Sequence, residues 1–175
     1  MITEMSTKMT PSNNYARLIF AFFASGGICL ALLSTVIDLY KGVVALLGVV
    51  LLVTAIAFFS KYVASVYYYD ITFDHNKVPI FVVRQVSGNR ESTLCRIDIA
   101  DIVKVEEESA KERRSHKTPF GYCKYNYSPS FAPKKSVRLT VESRYEKAEI
   151  IIENKLYAEH LARIAEKLRN EIKEG

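Results

Sequence analysis

The chain reads as an α+β protein, with an apolar two-helix hairpin first, then an antiparallel β domain closed by one C-terminal helix. Three features predict this. Between residues 18 and 69 the only charges are Asp38, Lys41 and Lys61. From Tyr69 onward, apolar residues recur at every second position in short runs broken by turn formers. Near the C-terminus the spacing changes to three and four, the period of an amphipathic helix.

The hairpin follows from length. A hydrocarbon core of about 30 Å is spanned by roughly 20 helical residues, and Leu18 to Ile37 is a charge-free run on that scale, with Gly42 to Ser60 close behind. As one helix, Leu18 to Tyr69 would reach roughly 78 Å at about 1.5 Å per residue, so the chain must turn back. Asp38 and Lys41 mark the turn, because a charge at mid-membrane costs about 2.5 to 3.5 kcal/mol. The predicted spans are about 18–37 and 42–62, within a transmembrane segment 17–66 preceded by an N-terminal cytoplasmic tail, 1–16. Tyr15, Arg17, Tyr40, Lys61 and Tyr62 sit at the span ends as interfacial anchors. Lys8, Arg17 and Lys61 outweigh Lys41 beside Asp38, which predicts a multi-pass protein of the cell membrane with both termini cytoplasmic. A cleaved signal peptide is the competing reading of the first span, but its apolar run exceeds the 7 to 15 residues of a typical signal core. Small residues recur at Ala21, Ser25 to Gly27, Ala31, Gly42, Ala45 and Gly48, as close helix packing in lipid favours, and are read as sealing this hairpin onto itself. With no ionisable residue or proline inside either span, a proton relay or transporter pathway is disfavoured.

From Asp70 on, the chain holds 20 of its 24 Lys and Arg residues and 17 of its 19 acidic ones, a local balance of +3. Roughly a hundred residues suffice for one domain with its own core, placed at 67–175. Cys29, Cys95 and Cys123 are scattered without a CxxC pattern and read as reduced thiols. The sequon at Asn126 matters only in a secretory lumen.

The elements of the domain follow in order. Tyr69, Ile71 and Phe73 alternate before a turn at Asp74 to Lys77. Val78 to Val86 is the second strand, with Pro79 near its start, where a missing donor is tolerated. Ser87 to Arg90 turns the chain, Thr93 to Ile97 resumes, and Ile102 to Glu108 is the fourth strand. The pattern then stops from 109 to 135, a long loop holding Pro119, Gly121, Pro129 and Pro133, with a short strand around Tyr122 to Tyr127. Val137 to Val141 and Ala148 to Ile152 are the last strands, joined by the polar Glu142 to Lys147. Tyr157, Leu161, Ile164, Leu168 and Ile172 form one stripe of a helix over 155–172, with Asn154 as N-cap and Glu159 with Arg163 as an i, i+4 pair.

Ser128 to Leu168, SPSFAPKKSVRLTVESRYEKAEIIIENKLYAEHLARIAEKL, resembles the closing half of bacterial membrane-anchored pleckstrin-homology-like (PH-like) proteins. In those a Pro/Ser loop precedes an "rLxI" strand, a hairpin, an "IxI" strand and an "Fxxxl" helix. Here Arg138, Leu139 and Val141, then Ile150 and Ile152, then Tyr157 and Leu161 take these places. Glu153, Asn154 and Lys155 stand where the family often has a Ser-Pro cap, and the basic insertion is longer. The resemblance implies two transmembrane helices directly before a PH-like antiparallel β-barrel/sandwich capped by the C-terminal α-helix. Its motifs are core residues and identify a fold, not a site.

Functionally, the basic loop is the candidate surface for a membrane or a partner. Lys111, Arg113, Arg114, Lys117, Lys124, Lys134 and Lys135 are placed to meet anionic headgroups, with Phe120, Tyr122, Tyr125 and Tyr127 inserting shallowly. The alternative is a solvated loop whose cations answer Glu106, Glu107, Glu108 and Glu112. Nucleic acid is disfavoured by the modest net charge and the anchor. Catalysis finds no positioned base and partner. His75, His116 and His160 read as surface residues, and His116 with Cys123 would supply only two ligands, so neither metal nor cofactor is expected. The expected function is a non-enzymatic docking or sensing module at the inner face of the membrane. It would bind the bilayer, anionic lipid headgroups or another membrane protein, through strand edges and the long loop. The alternative is a self-immunity or transport-associated factor acting against a membrane-active peptide.

Overall fold

A computed structural model describes residues 4–11, 14–37, 40–144 and 146–174. The chain forms two compact units, Pro11–Ser65 on the one hand and Met1–Thr10 with Val66–Gly175 on the other.

The first unit is a pair of helices, α1 (Asn14–Val36) and α2 (Lys41–Tyr62). Both are long and apolar enough to cross a membrane, and only 11% of each apolar window is buried. The core helix of a soluble protein would bury most of it, whereas Phe22, Leu32, Val53 and Ile56 here point outward. Asp38, half of the expected turn, lies outside the described residues. Tyr40, at φ 63, starts α2, and its carbonyl accepts from the Val43 and Val44 amides at 3.0 and 3.1 Å. The seam between the helices is built on glycine. A Cβ on Gly48 would lie 3.0 Å from the Ala31 nitrogen and 3.1 Å from the Gly27 carbonyl, and one on Gly27 would lie 2.8 Å from Leu52 Cγ. Gly27, Ala31 and Gly48 thus seal the hairpin as expected, with Ser34 buried beside them and donating to the Ala31 carbonyl at 2.7 Å. Gly42 meets nothing within 4 Å, and Ala21 and Ser25 are exposed.

The second unit holds two four-stranded sheets. The first runs β1-β2-β3-β4, with β1 Met5–Met9, β2 Ser65–Phe73, β3 Pro79–Ser87 and β4 Arg90–Asp98. Met5–Met9 thus turns part of the segment read as a tail into an edge strand, pairing antiparallel with β2 from Met5↔Ile71 to Met9↔Tyr67. The hairpin is therefore inserted in sequence between two strands that pair with each other. Gly88, at φ 59, takes the tight turn between β3 and β4, where a side chain would be strained.

The second sheet runs β5-β7-β8-β6, with β5 Ile102–Ser109, β6 Cys123–Asn126, β7 Lys135–Glu142 and β8 Lys147–Ile152. β5, β7 and β8 are antiparallel neighbours, but β6 joins β8 parallel. The sheets do not close into a barrel, which corrects that part of the expectation. β4 ends one sheet and β6 the other, and among the described residues no strand bridges them.

One core lies between the sheets and α4 (Lys155–Glu174). It draws Tyr67, Tyr69 and Ile71 from β2, Phe81 and Val83 from β3, Leu139 and Ile150 from the second sheet, and Tyr157, Leu161 and Ile164 from the helix. Burying each such side chain contributes about 1.5 to 3 kcal/mol. Ile172, the last residue of the expected stripe, has a side chain outside the described residues. Asn154 caps the helix, its Oδ1 accepting from the Tyr157 amide at 3.1 Å. Glu159 meets Lys155 at 3.7 Å, in place of the expected Arg163.

A polar node fastens this core. The Tyr69 hydroxyl donates to the Tyr127 carbonyl at 2.9 Å and accepts from the Glu153 amide at 3.3 Å, and burial holds its phenol well above the ordinary pKa. The Glu153 carboxylate accepts from the Ser128 hydroxyl, from the Ser130 amide at 3.0 Å and from the Ser130 hydroxyl at 2.9 Å.

Two outcomes follow. Gly27→Leu should overpack the seam at a cost of about 1 to 3 kcal/mol and lower the thermal midpoint of the detergent-solubilised chain, whereas Gly42→Leu should leave it unchanged. Replacing 11–65 by Asn-Gly, a two-residue turn suited to antiparallel strands, should give a domain that unfolds cooperatively in urea. A chain beginning at Asp70 lacks β1 and Tyr69, and by circular dichroism should show no such transition.

Candidate functional site

The segment from Ser109 to Tyr122 is a strap rather than a free loop. It leaves the end of β5 through α3 (Ala110–Ser115), and a capping box sets its direction: the Ser109 hydroxyl accepts from the Glu112 amide at 3.3 Å while Glu112 accepts from the Ser109 amide at 2.7 Å. That second bond holds the Glu112 carboxyl below its ordinary pKa. Further on, His116 Nε2 lies 2.8 Å from Glu149 and the Thr118 hydroxyl donates to the same carboxylate at 3.0 Å. The Tyr122 amide donates to the Pro119 carbonyl at 3.2 Å and Gly121, at φ 84, completes the turn into β6. Because β5 and β6 flank β7 and β8 in the sheet, the chain must cross over to place β6 parallel to β8.

Charged groups are buried where the strap is anchored. Arg138 of β7 bonds Glu108 of β5, with 8% and 4% of their side chains exposed, and Ser136 donates to the same glutamate at 3.3 Å. Arg113 closes over them, donating to the Ser136 hydroxyl at 3.1 Å and to the Pro133 carbonyl at 3.0 Å. A buried ion pair contributes little net stability, but removing one partner leaves an uncompensated charge.

The structure divides the predicted site residues. Arg113 is turned inward and fixed. Tyr122 donates to Glu142, Tyr125 donates to Glu146 at 2.7 Å, and Tyr127 donates to the Leu94 carbonyl at 3.2 Å. These three rings are tied to the domain by their hydroxyls. By contrast Lys111, Arg114, Lys117, Lys124, Lys134 and Lys135 are exposed, and among the described residues none forms an ion pair. Phe120, at 106% relative exposure, stands fully in solvent between Lys117 and Lys124. The glutamates expected to answer these cations have other partners: Glu106 meets Lys104 at 2.7 Å, Glu107 meets Lys155 at 2.7 Å, Glu108 meets Arg138, and Glu112 caps α3. Of the span-end anchors, Tyr15, Arg17, Tyr40 and Lys61 are exposed, and Lys61 lies 5.2 Å from the centre of the Tyr62 ring.

A second feature is a cleft of about 420 Å³ between the outer strands of the two sheets, lined by Leu94–Asp98 and Asp101 on one side and by Tyr125, Tyr127, Ser143 and Glu146 on the other. Val141, Ala148 and Ile150 give it an apolar floor. Burial, reinforced by Asp98, raises the Asp101 carboxyl above its ordinary pKa. Burial also pushes the Cys95 thiol up to about 11, so it stays protonated and weakly nucleophilic at neutral pH. Sequence reasoning missed Asp98, Asp101 and Glu146, which come together only through pairing across two sheets. Among the described residues no group of three or more His, Cys, Asp or Glu could hold a metal ion.

No protein family's sequence model matches the chain, and no curated protein matches it either.

Arg138→Leu should cost about 3 to 5 kcal/mol by stranding Glu108, read as a lower urea midpoint of the full chain. The double variant Arg138→Leu with Glu108→Leu should recover most of that loss.

Proposed function

We propose that this protein is a non-enzymatic, membrane-anchored docking or sensing module with a PH-like domain. The α1–α2 hairpin spans the cytoplasmic membrane twice, and the domain works at its inner face. The hairpin's exposed apolar surface supports insertion. Pairing of Met9 with Tyr67 supports both ends of the hairpin emerging on one side of the bilayer, and the basic residues near those ends favour the cytoplasm for it. Only Val63 and Ala64 separate α2 from β2, so the connection leaves the domain little reach away from the leaflet.

The observation that carries the reading is Phe120, fully exposed in the strap, whose sequence neighbours Lys111, Arg114, Lys117 and Lys124 are exposed and form no ion pair among the described residues. In water an exposed aromatic ring gains nothing. At an interface it buries its face among acyl chains while the neighbouring Lys and Arg side chains meet anionic headgroups, at about 1 kcal/mol for each. The domain would thus be steadied on the leaflet while its strand edges remain available to a membrane-protein partner.

Hydrogen exchange of the full chain in nanodiscs tests this. Phosphatidylglycerol should slow exchange over 116–124 relative to pure phosphatidylcholine, and added salt should reverse the protection. Phe120→Ser combined with Lys111→Ala, Arg114→Ala and Lys117→Ala should abolish it. Equal exchange in the two lipids would refute lipid contact by the strap.

A further inference from the structure

We propose that the cleft between β4 and β6 receives an extended, lysine- or arginine-bearing segment of a partner protein, added as a further strand on the free edge of β4. This rests on the docking reading above and supplies the partner's chemistry.

β4 and β6 are the outer strands of their sheets, so each offers backbone donors and acceptors with no strand beyond it. An added strand gains main-chain bonds from such an edge and directs alternate side chains to one face, where a pocket can select among them. The pocket here is the cleft of about 420 Å³, within the size range of ligand sites. Its floor is apolar through Ile97, Val141 and Ile150, and its rim bears the carboxylates of Asp98, Asp101 and Glu146. Arg96 also lines it, but its guanidinium is already 2.5 Å from Asp74. An apolar shaft ending in negative charge fits a side chain with an aliphatic stem and a cationic head. A glutamate would be repelled at the rim, and a valine would cover the carboxylates without pairing them.

The Tyr127 hydroxyl bonded to the Leu94 carbonyl ties the two edges together at one point. It holds one end of the cleft and leaves the Cys95 to Asp98 stretch of β4 open beside it.

The test uses the full chain in phosphatidylcholine nanodiscs, where the strap has no anionic lipid to meet, so a failure of lipid contact and a failure of the cleft are read separately. The probe is a fluorescent peptide of alternating valine and lysine, followed by anisotropy. Saturable binding is expected. Asp98→Asn with Asp101→Asn should weaken it at least about tenfold, the scale of one or two lost charge contacts, while circular dichroism shows unchanged folding. Methylating alternate peptide amides, which removes main-chain donors and keeps every charge, should also abolish binding. Lys111→Ala with Arg114→Ala should leave it unaltered. The proposal is overturned by equal binding of a valine and glutamate peptide or of the methylated peptide, by a double asparagine variant that binds normally, or by no saturable binding.

Discussion

The pairing of β1 with β2 is the constraint on which the rest depends. Met9 and Tyr67 are partners across an antiparallel ladder, where opposing Cα atoms lie about 4.5 to 5.5 Å apart, yet the whole of Pro11–Ser65 intervenes between the strands. Closing a flexible loop of that length costs roughly 3 to 4 kcal/mol in chain entropy plus a constant. The helices of the insert offset part of that cost, since residues 14–36 and 41–62 are held in α1 and α2. Its two helices pack antiparallel along Gly27 and Gly48, where backbone approaches backbone without an intervening side chain, so the fold of the insert itself favours bringing its ends together. The helical hairpin is thereby part of the connection that the first sheet must close. The length of the helical insert and the register of the sheet must agree at residues 9 and 67.

Burial of charge does for the second sheet what loop closure does for the first. Glu108, Arg138 and Glu149 are nearly inaccessible, and carboxylates placed there without donors would carry a heavy desolvation penalty. Arg138 and Ser136 satisfy one glutamate, while His116 and Thr118 satisfy the other. His116 and Thr118 tie the strap to Glu149 on β8, the strand with which β6 pairs parallel. β6 in turn ends the second sheet opposite the edge of the first, and so the cleft exists. The parallel strand thus sits where the strap is tied across the sheet by a buried carboxylate.

How far this was legible in the sequence depends on how local the cause is. The hairpin, the six main strands and α4 were readable, because each is announced by a run or a period within its own residues. β1 was readable in principle, since Met5, Thr7 and Met9 alternate with Ser6 and Lys8, but a five-residue strand stabilised only by a partner some sixty residues away is easily taken for a tail. α3 carries its capping box in plain view as Ser109 and Glu112. The inward turn of Arg113 is another matter, for nothing in Lys-Glu-Arg-Arg says which guanidinium finds Pro133 and Ser136. Barrel closure was not decided by strand patterning at all, because it turns on which edges remain unpaired. The cleft belongs to the same class: Asp98 and Glu146 are forty-eight residues apart and meet only once both sheets exist.

The distribution of unpaired charge gives the two surfaces their opposed characters. The domain's net balance is small, so composition alone points to no partner. What matters is which charges have been neutralised by folding. Near the strap, Glu106, Glu107, Glu108 and Glu112 are all engaged elsewhere, and the cations are left over. At the cleft Arg96 is engaged by Asp74, and among the described residues Asp98 and Asp101 form no ion pair. The same near-neutral composition therefore leaves exposed cations along the strap and carboxylates at the cleft. On the proposed reading an anionic leaflet would attract the exposed cations and repel the carboxylates at the cleft.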